Sequence, residues 1–256
     1  MRRNLEPLEP RALVLSGVSV HFGGLRAVDQ VSLTMAAGER RALIGPNGAG
    51  KTTLFGVISG ELPATGGRVV VFGEDVTGLP PHKRAARGIA RTFQIIRLFP
   101  NLSVMENALL ACEALDRRKF SMLGPVSGVR SLVTRAEHLL GEFGLLDRRA
   151  SVARSLSYGD QRKLEVALAM AGRPSLLLVD EPMAGLSAHE RDVMQGVLDR
   201  VDSTVAVLLI EHDMDVAFRF AERVTVLDRG RVLADGSAED IARNEAVQQS
   251  YLGVRP

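Results

Sequence analysis

Gly45-Pro46-Asn47-Gly48-Ala49-Gly50-Lys51-Thr52 decides the reading of this chain. The stretch satisfies G-x-x-x-x-G-K-[ST]. Ahead of it stands Ala42-Leu43-Ile44, a short buried-strand pattern, and behind it Thr52 to Ser59, where Leu54, Val57 and Ile58 fall on one side of a helix. Strand, glycine loop and helix in that order build an anion site. The glycines let backbone N–H groups turn inward around a polyphosphate, and the helix presents its positive N-terminus. Lys51 reaches the β- and γ-phosphates, and the Thr52 hydroxyl can coordinate Mg²⁺. A Gly-rich turn that merely joins strand to helix is the competing reading, and the agreement of every pattern position with its context argues against it.

Upstream, Leu13, Leu15, Val18 and Val20, then Val31, Leu33 and Met35, read as strands separated by Gly23-Gly24, which predicts an N-terminal β layer. Downstream, Val69 to Phe72 returns to strand character. Asn101 to Arg149 reads as a mostly helical insertion interrupted at Gly124-Pro125 and Gly128. Beyond Ser157, the helical spacing Leu164, Ala167, Leu168, Ala171 leads through Pro174 into Leu176-Leu177-Leu178-Val179, a run suited to a strand buried on both faces. Asp180 and Glu181 end that strand. A helix over Ala188 to Val201 precedes a second buried strand, Val205 to Ile210, which ends at Glu211-His212. Both polar pairs are expected at the C-terminal edge of a parallel sheet, where open α/β sheets bind ligands. Asp180 suits a Mg²⁺ carboxylate, directly or through water, and Glu181 can polarise an attacking water. Alone, an Asp-Glu pair after a strand reads as a solvated turn; with a P-loop in the same chain the functional reading prevails.

Composition narrows the partners. The chain has 256 residues, 46% hydrophobic and 24% charged, which excludes disorder, collagen and fibres. Its 32 Lys and Arg against 30 Asp and Glu leave a net charge of +2, too little for the positive field that phosphate-backbone binding needs, so no nucleic-acid partner is expected. Cys112 is the single cysteine, shows no metal-ligand spacing and fits a reducing cytoplasm. Apolar runs such as Val205 to Ile210 fall far short of the roughly 18 to 20 residues of a membrane span. Glu6, Pro7, Glu9 and Pro10 interrupt the stretch between Arg2-Arg3 and Ala12-Leu13-Val14-Leu15, which argues against a signal peptide.

Leu156-Ser157-Tyr158-Gly159-Asp160-Gln161, Gln94 and His212 complete a set with the P-loop and Asp180-Glu181. Together, and in this order, they resemble the motifs of the ATP-binding subunits of ABC transporters, and the resemblance covers essentially the whole chain. It implies an α/β P-loop NTPase with a mostly parallel core sheet, an N-terminal antiparallel β subdomain and an inserted helical subdomain. Residues 1–256 would form one nucleotide-binding domain, with 11–94 and 158–256 as the α/β core and β subdomain and 95–157 as the helical subdomain. The resemblance implies ATP and Mg²⁺ as cofactors. Gly45 to Thr52, with Thr53, would hold the nucleotide together with Gln94, and Phe22 would stack on adenine. Thr52, Gln94 and Asp180 would serve the metal. Lys51, Glu181 and His212 would be catalytic, Glu181 polarising the attacking water and His212 orienting it. Ser157, Tyr158, Gly159, Asp160 and Gln161 form the signature, which in the family faces the P-loop of a second subunit, so that two nucleotides are sandwiched between two chains.

Taken singly, each residue has a plainer reading: Phe22 as a strand-end aromatic, Gln94 as a polar loop residue, His212 as a capping or core histidine, Ser157 and Gly159 as a helix N-cap and turn. Their shared order outweighs those readings. Two departures stand out. Tyr158 and Asp160 occupy positions where the broad family most often has glycine and a small or variable residue. Ala184-Gly185-Leu186-Ser187, the D-loop stretch, ends in serine where aspartate is usual, which bears on coupling between the two sites rather than on nucleotide binding.

Arg91-Thr92-Phe93-Gln94, then Leu98-Phe99 and Leu102-Ser103-Val104-Met105-Glu106-Asn107, is similar to the ATP-binding subunits of branched-chain amino-acid importers. So are the signature, with its Tyr158 and Asp160, and the C-terminal stretch from Gly236 through Ile241 and Val247 to Tyr251-Leu252-Gly253. The Arg91-Gln94 form matches the first of that group's two ATPases. The resemblance therefore implies a heterodimer with a second related ATPase, a homodimer being open for the isolated chain, on two integral membrane permease subunits. A periplasmic binding protein would be an indirect partner. The location implied is cytoplasmic, peripheral on the inner face of the cell membrane. Residues near Gln94 to Pro100 would dock a permease helix, and the insertion at 116–131, with Arg117, Arg118 and Lys119, reads as a solvated face or a headgroup contact. Three alternatives are weighed. A lipopolysaccharide-type exporter ATPase has a similar tail but usually works as a homodimer, and the Arg91-Phe93 and Tyr158-Asp160 signals argue against it. A soluble ABC ATPase acting on nucleic acid or ribosomes usually carries two cassettes or a coiled coil. A degenerate regulatory ATP-binder conflicts with the presence of Lys51, Asp180, Glu181 and His212.

Overall fold

The computed structural model describes residues 11–92, 98–114 and 127–252, without the side chains of 127–129 and 252. Phe93, Gln94, the Gly124-Pro125 break, most of the 116–131 insertion and Gly253 lie outside the described residues. The chain forms two compact units, one of Met1–Arg84 with Asp202–Pro256 and one of Ala85–Val201.

The first unit opens with β1 (Arg11–Phe22) and β2 (Leu25–Ala36), an antiparallel pair in which Phe22 stands opposite Leu25, so that Gly23-Gly24 is the whole turn. Leu13, Leu15, Val18 and Val20, with Val31, Leu33 and Met35, are all buried, as their alternation predicts. β3 (Arg40–Ile44) then feeds the P-loop and α1 (Lys51–Ser59), whose first residue is Lys51 rather than the expected Thr52. β4 (Gly66–Val71) pairs antiparallel with β1, and the short β5 (Glu74–Asp75) pairs with β4, giving a sheet in the order β2-β1-β4-β5. α2 (Pro81–Ala85) follows.

Arg84 on α2 is buried and acts as a C-terminal cap for α1. Its guanidinium donates to the carbonyls of Val57 at 2.5 Å and Ile58 at 2.9 Å, and to those of Leu79 at 2.8 Å and Thr77 at 2.8 Å. These carbonyls include orphan acceptors of a helix end. Arg84→Met keeps the aliphatic stem and strands the carbonyls, so a loss of about 2–4 kcal/mol is expected in denaturant unfolding.

The second unit comprises β6 (Ile89–Arg91), α3 (Val104–Ala114), α4 (Ser127–Glu142), α5 (Tyr158–Met170), β7 (Leu176–Asp180) and α6 (Ala188–Asp199). β6 and β7 run parallel with Arg91 opposite Leu178, and every residue of β7 is buried. α3 packs on α4 and α5, burying Val104, Ala108, Cys112, Ala136 and Leu140, which gives the expected helical stretch its own apolar centre. Burial pushes the Cys112 thiol above its ordinary range, so it behaves as a small apolar residue.

The chain then returns to the first unit with β8 (Ala206–Ile210), α7 (Met214–Phe220), β9 (Arg223–Asp228), β10 (Arg231–Ser237), α8 (Ala238–Arg243) and α9 (Glu245–Leu252). β8 and β9 flank β3 in parallel, with Leu43 opposite Ile210 and Ile44 opposite Val226, and β10 lies antiparallel on β9. The β9–β10 hairpin is an element the sequence reading passed over. Its signal is the Arg229-Gly230 pair between Val224, Val226 and Val232.

This hairpin completes a charge network around Arg41 of β3. The buried guanidinium donates to Glu39 at 2.6 Å, Asp235 at 3.0 Å and Thr225 at 3.3 Å, while Arg223 holds the other Asp235 oxygen at 2.8 Å. Burial pushes the Asp235 carboxyl up, but the Thr225 hydroxyl, then Arg223 and Arg41, hold it below its ordinary value of 3.8. A carboxyl depressed in the folded state contributes stability above its unfolded pKa and loses it as pH falls through the folded one. The gap in melting temperature between the wild-type chain and Asp235→Asn is thus expected to be full at pH 6 and to close below about pH 3.8.

Candidate functional site

The P-loop leaves β3 after Ile44, and Glu211-His212 leave its parallel neighbour β8 after Ile210, so both emerge at the C-terminal edge of the first unit's parallel strands. The loop is braced by backbone on two sides. Gly45 has φ +151, and a Cβ there would stand 2.2 Å from the Leu227 carbonyl oxygen of β9. Gly50, the N-cap of α1, has φ +99, and its Cβ would stand 2.3 Å from the Ala27 carbonyl oxygen of β2. The Ala49 carbonyl accepts the Gly230 N–H at 3.0 Å. The glycines of the pattern are thus required by packing as well as by the turn.

Lys51 is buried, and its ammonium donates to the carbonyls of Gly45 at 2.6 Å and Pro46 at 3.1 Å. A cation held inside a loop at a helix N-terminus fits a polyphosphate. Asn47, Gly48 and Thr52 are exposed and Thr53 is half-buried, so the loop's outer surface and the Thr52 hydroxyl are accessible. Phe22 is 52% exposed at the end of β1. The His212 side chain is 58% exposed and lies 3.9 Å from the Glu211 carboxylate, which is fully buried. Asp213, the next residue, caps α7 by accepting the N–H groups of Asp215 and Val216. A contact the sequence reading missed comes from α9. The Tyr251 hydroxyl is buried beside the Gly45 backbone, and burial pushes its ionisation up to about 12 against the opposing pull of the Gly45 amide.

In the second unit, Asp180 is buried at the end of β7, where its Oδ2 accepts from Arg91 at 3.0 Å and its backbone N–H donates to the Thr92 hydroxyl at 3.1 Å. Arg91, read in the sequence only as a subgroup marker, therefore orients the carboxylate read as a metal ligand. Glu181 follows with φ +47, a left-handed conformation that costs a non-glycine residue about 1–3 kcal/mol and persists where the surroundings enforce it. Ser157 is the N-cap of α5 and accepts the Asp160 N–H at 3.1 Å, while the Asp160 carboxylate pairs with Lys163 and the Gln161 amide donates to the Leu156 carbonyl. Tyr158 is exposed and Gly159 buried.

Ser187 caps α6 in a reciprocal capping box with Glu190. The Ser187 hydroxyl, then its N–H, and to a lesser degree the Gly159 N–H hold the Glu190 carboxyl below its ordinary range. Among the described residues there is no group of three or more His, Cys, Asp or Glu placed to hold a metal.

A family model described as ABC transporter matches residues 28–184, and one described as branched-chain amino acid ATP-binding cassette transporter matches residues 231–255. The chain belongs to the ABC transporter family and is an ATP-binding cassette ATPase. Over 248 residues it is 40% identical to the high-affinity branched-chain amino acid transport ATP-binding protein BraF of Pseudomonas aeruginosa, covering 94% of this chain and 97% of that protein. It is 38% identical to LivG of Escherichia coli, described in the same words, with the same coverage. The lipopolysaccharide export ATP-binding protein LptB of Escherichia coli is 33% identical over 242 residues, covering 94% and 97%. Among solved structures, the ADP conformation of MJ1267, an ATP-binding cassette of an ABC transporter, has a TM-score of 0.83 at 28% identity and covers 95% of this chain and 99% of that one. The expected α/β P-loop fold is that of these structures. No helix among the described residues is long and apolar enough to cross a membrane.

Proposed function

We propose that this chain hydrolyses ATP to drive import of branched-chain amino acids or related small solutes, working as one half of an ATP sandwich with a second, related ATPase. The observation that carries the ATPase reading is the buried Lys51 ammonium set in a backbone-braced loop at the start of α1. The importer reading is supported by the tail match at 231–255 and the 40% identity to BraF. A dimeric post-hydrolysis structure of the cassette MJ0796 with ADP and Pi, similar at TM-score 0.76 and 27% identity, supports the sandwich. Two permease subunits are the membrane partners and a periplasmic binding protein an indirect one, with the chain on the cytoplasmic face. Residues 11–94 and 158–256 handle nucleotide, and 95–157 form the helical subdomain that docks.

Each residue then has a role. Gly45 to Thr53 wrap the phosphates and Phe22 stacks on adenine. Lys51 offsets charge at the phosphoryl group transferred to water as ADP departs. Glu181 polarises the attacking water, and His212 orients it for in-line displacement. Thr52, Asp180 and Gln94 would hold Mg²⁺, which when bound neutralises phosphoryl oxygens. Ser157 to Gln161 reach the nucleotide of the partner chain.

A tagged Glu181→Gln chain purified from native membranes in mild detergent with ATP tests this reading by mass spectrometry of its partners. A second ATPase with two multi-span proteins supports it, and the neighbouring binding protein is then titrated with candidate solutes. Recovery of a homodimer with exporter-type membrane proteins would favour the LptB-like alternative, and recovery of ribosomal or nucleic-acid partners alone would overturn the transport reading.

A further inference from the structure

The turn between β9 and β10 is set between β2 and the P-loop. Arg231 lies opposite Asp228, so Arg229-Gly230 is a two-residue turn, and both residues have positive φ, +47 and +80, as a type I′ hairpin requires. The Gly230 backbone bonds in two directions. Its carbonyl accepts the Asp29 N–H of β2 at 2.8 Å, and its N–H donates to the Ala49 carbonyl of the P-loop at 3.0 Å. The next side chain grips the same β2 residue. Arg231 donates through Nε at 2.9 Å and through a terminal nitrogen at 2.6 Å, both to Asp29 Oδ2, and Arg26 approaches that oxygen at 3.5 Å. The Asp29 side chain is 9% exposed against 69% for Arg231, so the carboxylate is the anchored member of the pair.

Peptide planarity carries this arrangement into the P-loop. The Ala49 C=O and the Gly50 N–H belong to one trans peptide and point in opposite directions. With the Ala49 carbonyl held on Gly230, the Gly50 N–H points away from the hairpin. A peptide turned the other way would set a carbonyl oxygen, with its partial negative charge, where an anion needs a donor.

We propose that Arg231 is a positioning residue for the phosphate site: its ion pair with Asp29 seats the Arg229-Gly230 turn, and the seated turn fixes the 49–50 peptide with the Gly50 N–H aimed at a phosphate oxygen. The proposal rests on the reading that Gly45 to Thr53 wrap the phosphates. It gives the C-terminal hairpin a part in nucleotide affinity that acts through backbone and needs no contact between Arg231 and ATP.

Calorimetric titration of ATP onto the full chain tests the role. Arg231→Ala is expected to weaken ATP binding about fivefold, the upper range for an ion pair with one exposed partner, and to speed hydrogen exchange of the Gly230 amide by a similar factor. Both Arg231 bonds end on one oxygen, so Arg231→Lys can replace them with a single ammonium and is expected to restore affinity to within about twofold of wild type. Arg223→Ala is the control, because it breaks an ion pair with Asp235 at 2.8 Å in the same hairpin, away from the turn. It is expected to lower the melting temperature and leave ATP affinity unchanged. Unchanged ATP affinity in Arg231→Ala overturns the proposal. An equal loss of affinity in Arg223→Ala also overturns it, by tracing the effect to the stability of the hairpin as a whole. Lys51→Ala separates the proposal from the reading beneath it: intact ATP binding there defeats the phosphate reading and the positioning role together, whereas a loss in Lys51→Ala with none in Arg231→Ala defeats the positioning role alone.

Discussion

Glu181→Gln is expected to lower kcat for ATP hydrolysis by about 10²–10⁴-fold while ATP still binds, the range that loss of a general base produces. The two side chains are isosteric, so the change removes basicity and little else. Glu181 sits directly after the buried Asp180 and adopts φ +47, a backbone state that a neutral glutamine tolerates as well as glutamate does. Titration of ATP onto the purified chain and steady-state phosphate release separate the two quantities. Turnover unchanged within a factor of two would remove Glu181 from its proposed role. ATP affinity lost together with turnover would instead show that the substitution had disturbed the fold around β7.

Gly50→Ala should all but abolish nucleotide binding, for reasons that lie outside the P-loop. A Cβ at this position would stand 2.3 Å from the Ala27 carbonyl oxygen, and the residue has φ +99. The backbone must shift to admit it, and the contact it meets is itself backbone in β2, which cannot rotate away. That shift moves the N-cap of α1 and the Lys51 ammonium with it. ATP affinity is expected to fall by at least about 100-fold, equivalent to roughly 2.7 kcal/mol, with a lower melting temperature. Gly48→Ala is the control: it also has a left-handed φ, +81, but a Cβ there meets nothing within 4 Å. It should cost only the conformational term of about 1 kcal/mol and weaken binding far less. Equal losses in the two variants would show that the turn geometry alone, rather than the Ala27 brace, makes Gly50 necessary.

Sequence alone determined the local features of this protein. The P-loop pattern, the apolar runs of β7 and β8 and the helix start at Ser157 all depend on residues within a few positions of one another, so periodicity, turn residues and capping chemistry reveal them directly. Read together, their order identified the family and the residues on which nucleotide chemistry is proposed to depend. The β9–β10 hairpin is less legible, because β10 alternates half-buried and exposed residues instead of forming an apolar run, although Arg229-Gly230 marks the turn. Only the tertiary structure decided which distant groups meet. Arg91 pairs with Asp180 across 89 positions. Ala27, Leu227 and Gly230 brace the P-loop with backbone atoms. Arg84 caps α1 by donating to the Val57 and Ile58 carbonyls. A guanidinium, a carboxylate or a backbone carbonyl has many chemically equivalent partners along a chain. Which one it meets is set by strand order and register, and these follow from burying the whole apolar pattern at once.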